Sequence, residues 1–192
     1  AERAYAFRRL DRDALALSDY DRAIRLDAKF ADAYLGRAWV KMKKDDNEAA
    51  LKDLEKAVQI KPGLAQAHYW HGNILYGFGQ YDKAIADFDQ ALKADSMYLD
   101  ALDLRAASKQ FSGRFAEAVK DYNRLQALNP TEFNSYFDRG KCYQSLDKHR
   151  DAMADFDKIL EKNPGFADAY LYRGVSKEVL GQKEAAKKDF DL

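Results

Sequence analysis

The chain has 192 residues, with 32 lysines and arginines against 32 aspartates and glutamates. A nucleic-acid-binding domain usually carries an excess of basic residues, so this balance predicts no nucleic-acid partner. The single cysteine, Cys142, excludes an intrachain disulfide. The longest uncharged run, 62–81, contains a proline and four glycines, which excludes a membrane-inserted helix. The sequence favours an intracellular, cytoplasmic location and leaves the bacterial periplasm open.

One pattern recurs every 34 residues: an alanine, then an aspartate three residues later, then an aromatic residue or leucine. A fixed period of this size indicates a repeat array rather than a single globular core. We therefore predict one array over 1–192. Its repeats are 1–30 (partial), 31–64, 65–98, 99–132, 133–166 and 167–192 (partial).

Each repeat contains two stretches of about 14 residues with helical apolar periodicity, each about 21 Å long as a helix. Between them lies a turn position suited to a left-handed backbone. It is occupied by Asp11, Asp45, Gly79, Gly113, Asp147 and Gly181. Prolines 62, 130 and 164 fall between repeats, where they end the second helix of each pair. The sequence thus predicts a helical hairpin in every repeat.

Small residues occupy one position of each first helix, as close helix packing requires. They are Ala4, Ala38, Gly72, Ala106, Gly140 and Gly174. A large side chain stands 16 residues later in each second helix, where it fills the space beside the alanine that recurs in every second helix. These side chains are Tyr20, Leu54, Phe88, Tyr122, Phe156 and Phe190.

These positions, and stretches such as Ala169-Tyr170-Leu171-Tyr172-Arg173-Gly174, resemble the tetratricopeptide repeat family over the whole chain. The resemblance implies an all-α fold: a right-handed α-solenoid, or superhelix, of antiparallel helix pairs in 34-residue repeats. It further implies that first helices line a concave groove and that ligands bind there. The expected function is a non-catalytic scaffold or adaptor for protein–protein interaction, with a protein or peptide ligand.

Two positions of opposite charge repeat with the same period. The basic position of the first helix holds Arg3, Arg37, His71, Arg105, Arg139 and Arg173. The acidic position of the second helix holds Asp19, Asp53, Asp87, Asp121, Asp155 and Asp189. We predict a ladder of ion pairs, formed within a repeat or between neighbouring repeats, because an unpaired buried guanidinium is costly. In the alternative, the arginines face the groove and bind anionic ligands.

The sequence contains no pattern that predicts catalysis. His68 and His71 share a predicted helix, but no third ligand stands at helical spacing beside them. His68 takes the place of tyrosines in other repeats and His71 that of arginines, while His149 is expected on the solvated surface. A glycine-rich phosphate loop and a nucleophile elbow are both missing. We therefore predict no enzyme activity, no metal site and no cofactor.

Candidate binding residues are those of the first helices that do not repeat. Tyrosine and tryptophan supply large contact area at low entropy cost and are frequent binding anchors. The aromatic candidates, with one asparagine among them, are Trp39, Tyr69, Trp70, Asn73, Tyr76, Phe137 and Tyr172. The neutral helix with Tyr69, Trp70, Asn73 and Tyr76 is the predicted hot spot. In the alternative, these rings merely pack between adjacent first helices.

Charge along the predicted first helices is unevenly distributed. Arg8, Arg9 and Lys43 lie in the N-terminal half, whereas acidic residues, including the candidates Asp103 and Asp138, lie farther along. This distribution favours a ligand with an apolar centre and a basic end.

Two other functions fit the sequence. The chain begins and stops inside predicted helices without a polar capping helix, so flanking sequence is expected, or homo-oligomer contacts through uncapped ends. A self-associating structural module and the targeting domain of a larger protein or enzyme therefore stay open.

Overall fold

The computed structural model describes residues 3–4, 12–130 and 133–192. Within these ranges the chain is an all-α helical repeat, as predicted, with eleven helices. They are α1 Asp13–Leu26, α2 Ala31–Lys43, α3 Asn47–Ile60, α4 Ala65–Gly77, α5 Tyr81–Ala94, α6 Leu99–Phe111, α7 Phe115–Leu128, α8 Asn134–Ser145, α9 His149–Lys162, α10 Ala167–Val179 and α11 Lys183–Phe190. None of them is both long and apolar enough to cross a membrane.

The helices form two compact units, Ala1–Ala101 and Leu102–Leu192. In the N-terminal unit, the pairs α2–α3 and α4–α5 pack within repeats, while α1–α2 and α3–α4 pack between repeats. In the C-terminal unit, α8–α9 and α10–α11 are the pairs within repeats, joined by α7–α8 and α9–α10 contacts. The first helices α8 and α10 also contact each other. The helices α2, α3, α4, α8, α9 and α10 therefore each contact their own partner and a helix of a neighbouring repeat.

The turn inside each hairpin is left-handed, as predicted. Asp45 and Asp147 have φ of 61° and 57°, and the glycines at the same repeat position, Gly79, Gly113 and Gly181, have φ between 71° and 77°. After α4 the backbone N–H of Gln80 bonds to the carbonyl oxygen of Leu75 at 2.9 Å. This bond closes the helix end as in a Schellman motif. The corresponding Asp11 lies outside the described residues.

Three second helices end two residues before a proline: α3 ends at Ile60, α7 at Leu128 and α9 at Lys162. The start of α3 is capped by Asp46, whose Oδ1 accepts a hydrogen bond from the backbone N–H of Ala49 at 3.3 Å. The bond gives a partner to one of the backbone N–H groups that a helix start leaves without one.

The core lies where the two helices of a repeat touch. A Cβ added to Gly140 would lie 2.6 Å from Cε1 of Phe156, and one added to Gly72 would lie 2.9 Å from Cε1 of Phe88. Both phenylalanine side chains are fully buried. The predicted contact between the small residue and the large one is therefore direct in the repeats that carry glycine, and it is formed within the repeat.

The identity of the small residue follows the identity of the large one. Repeats with a glycine carry a phenylalanine 16 residues later, at 88, 156 and 190, whereas repeats with an alanine carry Tyr20, Leu54 or Tyr122. The ring of Tyr20 reaches instead towards Gly36 of the next repeat. The hydroxyl of Tyr122 hydrogen-bonds to Oε1 of Gln110 at 2.9 Å.

Candidate protein-interaction site

Every basic residue of the ladder pairs with the aspartate 16 residues later in its own repeat. In the arginine pairs, Nε donates to one carboxylate oxygen and Nη2 to the other, a bidentate geometry that fits the planar guanidinium. The Nε–Oδ2 distances are 2.6 Å for Arg3–Asp19 and 2.8 Å for Arg37–Asp53, Arg105–Asp121, Arg139–Asp155 and Arg173–Asp189. The ladder predicted from the two charged positions is present, and its main bonds lie within repeats.

The third guanidinium nitrogen links neighbouring repeats. Nη1 of Arg37 donates to Asp21 at 2.7 Å, and Nη1 of Arg173 donates to Asp157 at 2.6 Å. Nη1 of Arg139 donates to Asn123 at 2.6 Å. Each acceptor lies 16 residues earlier, in the second helix of the preceding repeat. These bonds were not predicted, because Asp21 and Asp157 are 44% and 50% exposed and resemble ordinary surface aspartates in the sequence.

Three aspartates of the ladder receive a second cation. Nζ of Lys41 lies 2.7 Å from Asp53, and the equivalent Lys109 and Lys177 lie 2.8 Å and 2.7 Å from their aspartates. In these repeats a lysine and an arginine both bind one carboxylate, so the Nε and Nη2 groups of the arginine donate to a partner within the protein. This arrangement favours an architectural role over the binding of an anionic ligand.

The repeat with histidines forms a weaker version of the pair. Nδ1 of His71 lies 2.6 Å from Oδ2 of Asp87, and Nδ1 of His68 lies 3.5 Å from Oδ1. Nε2 of His68 is 2.9 Å from the carbonyl oxygen of Pro62. Its hydrogen bond to Asp87 raises the pKa of His68, although burial opposes the charge. Burial disfavours the ionised form of Asp87, but the two histidines hold its pKa below the ordinary value.

In the N-terminal unit, the aromatic candidates of α4 pack against other rings. Tyr69 makes an edge contact with Trp70 at 4.8 Å between centroids and lies 4.9 Å from Tyr98. It also lies 6.3 Å from the buried ring of Phe88. Tyr76 packs edge-on against Tyr81 at 5.7 Å. All of these candidates are half-buried, so part of each ring supports the contact between helices.

Trp39 and Asn73 complete the candidates of this unit. Trp39 is half-buried and packs against a core cluster that includes Tyr20 and Val40. Asn73 is half-buried at the wall of a cavity of about 290 Å³ between α2, α3 and α4. The cavity is lined by Met42, Asn47, Asn73, Ile74, Gly77 and Phe78. Of the predicted hot spot, Asn73 therefore lines this cavity.

In the C-terminal unit, Phe137 and Tyr172 belong to a single aromatic cluster. Their rings meet edge-on at 5.3 Å, and Phe137 meets Phe166 at 5.2 Å. Both lie 6.0 Å from the buried Phe156. Phe137 also lines a cavity of about 220 Å³ with Phe133, Asn134, Ile159, Asn163 and Phe166. Contact between adjacent first helices accounts for much of both side chains.

The acidic candidates differ in exposure. Asp103 is exposed on α6, whereas Asp138 is half-buried on α8 and pairs with Lys141 at 3.1 Å. In the N-terminal unit, Lys43 pairs with Asp13 at 2.9 Å. Arg8 and Arg9 lie outside the described residues.

Two further reactive side chains of the described residues, Cys142 and His149, are largely buried. The thiol of Cys142 is fully buried, and burial raises its pKa to about 12, so Cys142 acts as a small core residue rather than as a reactive thiol. The prediction for His149 was wrong: its side chain is only 11% exposed. Its Nδ1 is buried without a hydrogen-bond partner in the described chain. Among the described residues, no three histidine, cysteine or acidic side chains are placed to hold a metal ion.

Comparison with known proteins identifies the repeats. A family model described as tetratricopeptide repeat matches residues 2–65, 35–98 and 69–133, and a second model with the same description matches 134–165. A search of curated proteins finds no match.

Solved structures with the same fold include YrrB, described as a TPR protein with an unusual peptide-binding site. It shares 24% identity over 90% of this chain and 89% of its own, with a TM-score of 0.84. MamA shares 22% identity over 84% of this chain and 88% of its own, with a TM-score of 0.80. A tetratricopeptide repeat protein from Parabacteroides merdae shares 26% identity over 98% of this chain and 73% of its own, with a TM-score of 0.64.

Proposed function

This chain belongs to the tetratricopeptide repeat family, and we propose that it is a non-catalytic scaffold or adaptor that binds an extended segment of a partner protein along its first helices. Protein interaction is the general role of such repeats. The finer proposal concerns which surface binds and which residues it uses.

The distribution of repeating and non-repeating residues carries this proposal. The charged residues that repeat are occupied by one another, in bonds of 2.5 to 2.8 Å between helices. The candidate residues that do not repeat lie on first helices, where Asn73 borders a cavity and Asp103 is exposed. Architecture needs the first set in every repeat, whereas selective binding needs side chains that differ from repeat to repeat. That YrrB is described as having a peptide-binding site agrees with this reading.

Within this proposal the candidate residues have two roles. Trp39, Tyr69, Trp70, Phe137 and Tyr172 are half-buried, so each side chain has one part packed in the protein and another part accessible to a ligand. Half-buried aromatic rings of this kind are held rigid before binding, which lowers the entropy cost of association. Asn73, Tyr76, Asp103 and Asp138 supply polar groups, and the acidic pair favours a basic residue of the ligand over the C-terminal unit.

Selection of displayed peptides tests the proposal. A random dodecapeptide library is selected against the whole chain, and the affinities of the enriched peptides are measured for charge variants. Asn73→Lys and Asp103→Lys should each weaken binding by about tenfold or more, because they place a cation on the first-helix surface. Matched variants on exposed second-helix positions, Lys52→Glu and Lys120→Glu, should leave it unchanged.

Two results would contradict the proposal. Wild-type protein could enrich no peptides at all, or the second-helix variants could weaken binding as much as the first-helix variants. The second result would place the contact on α3 or α7 instead.

Self-association is the second candidate, and one surface favours it. Leu171, Val175 and Val179 are 51%, 40% and 61% exposed and stand four residues apart on one face of α10. An apolar stripe of this kind often marks an interaction surface. Light scattering over a concentration series tests it: the mass of the wild type should rise with concentration, and Val175→Asp should abolish the rise. A constant monomer mass would refute it.

A further inference from the structure

The repeat 65–98 differs from the other repeats in the chemistry of its charge ladder. Its basic residue is His71, where the others have arginine. Buried Leu75 stands at the position of the lysines that give other ladder aspartates a second cation, Lys41, Lys109 and Lys177. Arginine stays charged in proteins, whereas histidine changes its charge between about pH 5 and 8. The ladder of this repeat is therefore built from groups that titrate.

The contacts of His71 determine where its one proton lies when the ring is neutral. Nδ1 is 2.6 Å from Oδ2 of Asp87, and an ionised carboxylate only accepts, so Nδ1 carries the proton. Nε2 is then left with a lone pair, and it lies 3.9 Å from Oε1 of Glu55 on α3. In the neutral ring this contact joins two acceptors and is not a bond. A second proton, on Nε2, converts it into an ion pair.

His68 has the opposite arrangement on the same aspartate. Nε2 lies 2.9 Å from the carbonyl oxygen of Pro62, which only accepts, so Nε2 carries the proton of the neutral ring. Nδ1 is left with a lone pair 3.5 Å from Oδ1 of Asp87. A second proton turns this contact into a charge-assisted hydrogen bond. Each histidine is thus one proton away from a further bond to a carboxylate.

These contacts connect two neighbouring repeats of the N-terminal unit. Pro62 and Glu55 belong to the second repeat, 31–64, whereas the two histidines and Asp87 belong to the third. With both rings charged, a continuous series of bonds runs from the Pro62 carbonyl through His68, Asp87 and His71 to Glu55. In other repeats Nη1 of the arginine binds a residue 16 positions earlier, in the preceding second helix. Glu55 is the residue 16 positions before His71, so it occupies the equivalent place.

The charged groups that face the two rings come from both helices packed against α4. The helix α3 contributes Glu55, and α5 contributes Asp87. Both are acidic, so the surroundings favour the protonated rings. The raised pKa of His68, caused first by its bond to Asp87, agrees with this field.

We propose that these two histidines form a proton-controlled link between the second and third repeats. In mildly acidic solution the charged rings tie Asp87 to α3, and above neutral pH the ion pair with Glu55 is lost. Apolar contacts of Leu54, Ala57 and Ala67 persist, so the junction loosens without unfolding. The inference goes beyond the proposed function, because it concerns the array itself and requires no ligand.

Amide hydrogen exchange, corrected for its intrinsic pH dependence, measures how often the junction opens. The protection of backbone N–H groups in α3 and α4 of the whole chain is compared at about pH 5.5 and about pH 8. Wild-type protection should be about fivefold or more greater at the lower pH, as expected for a gained bond to a charged group. Glu55→Gln should lower protection about two- to fivefold at the lower pH and leave it unchanged at the higher, because Glu55 is attracted by the charged ring.

Two variants serve as controls. His71→Arg restores the residue type of the other repeats, so its protection should be high at both pH values. Asp21→Asn removes the equivalent partner of Arg37, whose charge is constant. It should therefore lower protection across the contact of α1 with α2 by the same factor at both pH values. Wild-type protection that does not change with pH, or an equal effect of Glu55→Gln at the two pH values, would overturn the proposal.

The ring ¹⁵N chemical shifts give an independent test of the proton positions. At about pH 9 they should place the proton of His68 on Nε2 and that of His71 on Nδ1. The same neutral form in both rings would contradict the geometry, and rings that stay charged at this pH would exclude control by protons.

Discussion

The contact between Gly140 and Phe156 is the point at which a single methyl group should matter most. Gly140→Ala adds a Cβ that would lie 2.6 Å from Cε1 and 2.8 Å from Cζ of the ring. Carbon atoms in ordinary contact lie about 3.5 to 4.0 Å apart, so the ring or the helix has to move by about 1 Å. Phe156 is fully buried and has no solvent-exposed side to move towards.

Two effects of opposite sign determine the free energy of unfolding. Alanine stabilises a helix by about 0.5 to 1 kcal/mol relative to glycine. Overpacking a close-packed core costs about 1 to 3 kcal/mol. We therefore expect a net destabilisation of about 1 to 2 kcal/mol, which corresponds to a fall in Tm of about 2 to 8 °C for a chain of this size.

The repeats themselves supply the compensating change. Ala38 is accommodated opposite Leu54, so Phe156→Leu should relieve the clash in the Gly140→Ala background. Urea unfolding followed by circular dichroism gives the four free energies of the double-mutant cycle. We expect a favourable coupling of about 1 to 2 kcal/mol.

The control is Gly77→Ala, a helical glycine where an added Cβ meets no atom within 4 Å. It should leave the stability unchanged or raise it by up to about 1 kcal/mol. The reasoning is refuted if Gly140→Ala behaves like Gly77→Ala. It is also refuted if the two changes at Gly140 and Phe156 are additive.

Three other predictions concern charge, pH and the thiol. Arg139→Leu should cost about 3 to 5 kcal/mol in urea unfolding, and Arg105→Leu clearly less, because a lysine also binds the aspartate of Arg105; equal losses would contradict this. The pKa of His68 is raised in the folded state, so its contribution to the free energy of unfolding is complete below the ordinary value near 6.5 and is lost as pH rises through the folded value. The pKa of Asp87 is lowered in the folded state, so its contribution is lost only in acid. Unfolding free energies measured from pH 5 to 9 should therefore fall with pH, and His68→Tyr should flatten that fall; identical slopes would refute the role of His68. Cys142 should react with a thiol reagent only as fast as the chain unfolds, and rapid reaction of native protein would show that the thiol is not buried.

The repeat architecture could be predicted because the residue type that each structural position requires recurs in several repeats. A glycine at one position is weak information, but glycine or aspartate at the turn of every repeat predicts the left-handed backbone that Gly79 and Asp147 adopt. The pairing of Arg139 with Asp155 followed in the same way from two charged positions with a common period.

Features that occur once, or that join two repeats, were harder to predict. The bond from Arg37 to Asp21 crosses a repeat boundary, and periodicity alone cannot tell an exposed acid from one that accepts a bond there. His149 follows a lysine at a turn, yet its ring is buried by surroundings that sequence spacing does not reveal. Phe137 shows the same limit for the binding residues, since a ring on a first helix can serve as core, as anchor, or as both.

The location of the glycine–phenylalanine contacts also bears on how such arrays grow. Gly140 and Phe156 belong to the same 34-residue repeat, as do Gly72 and Phe88. Gene duplication or deletion of a whole repeat therefore carries both partners together and preserves their fit. A crossover inside the hairpin, at the turn containing Asp147 or Gly79, would instead join the phenylalanine helix to the first helix of another repeat, and three of the other five first helices carry alanine at this position. Recombination between repeats is thus expected to be tolerated at the prolines and selected against at the left-handed turns.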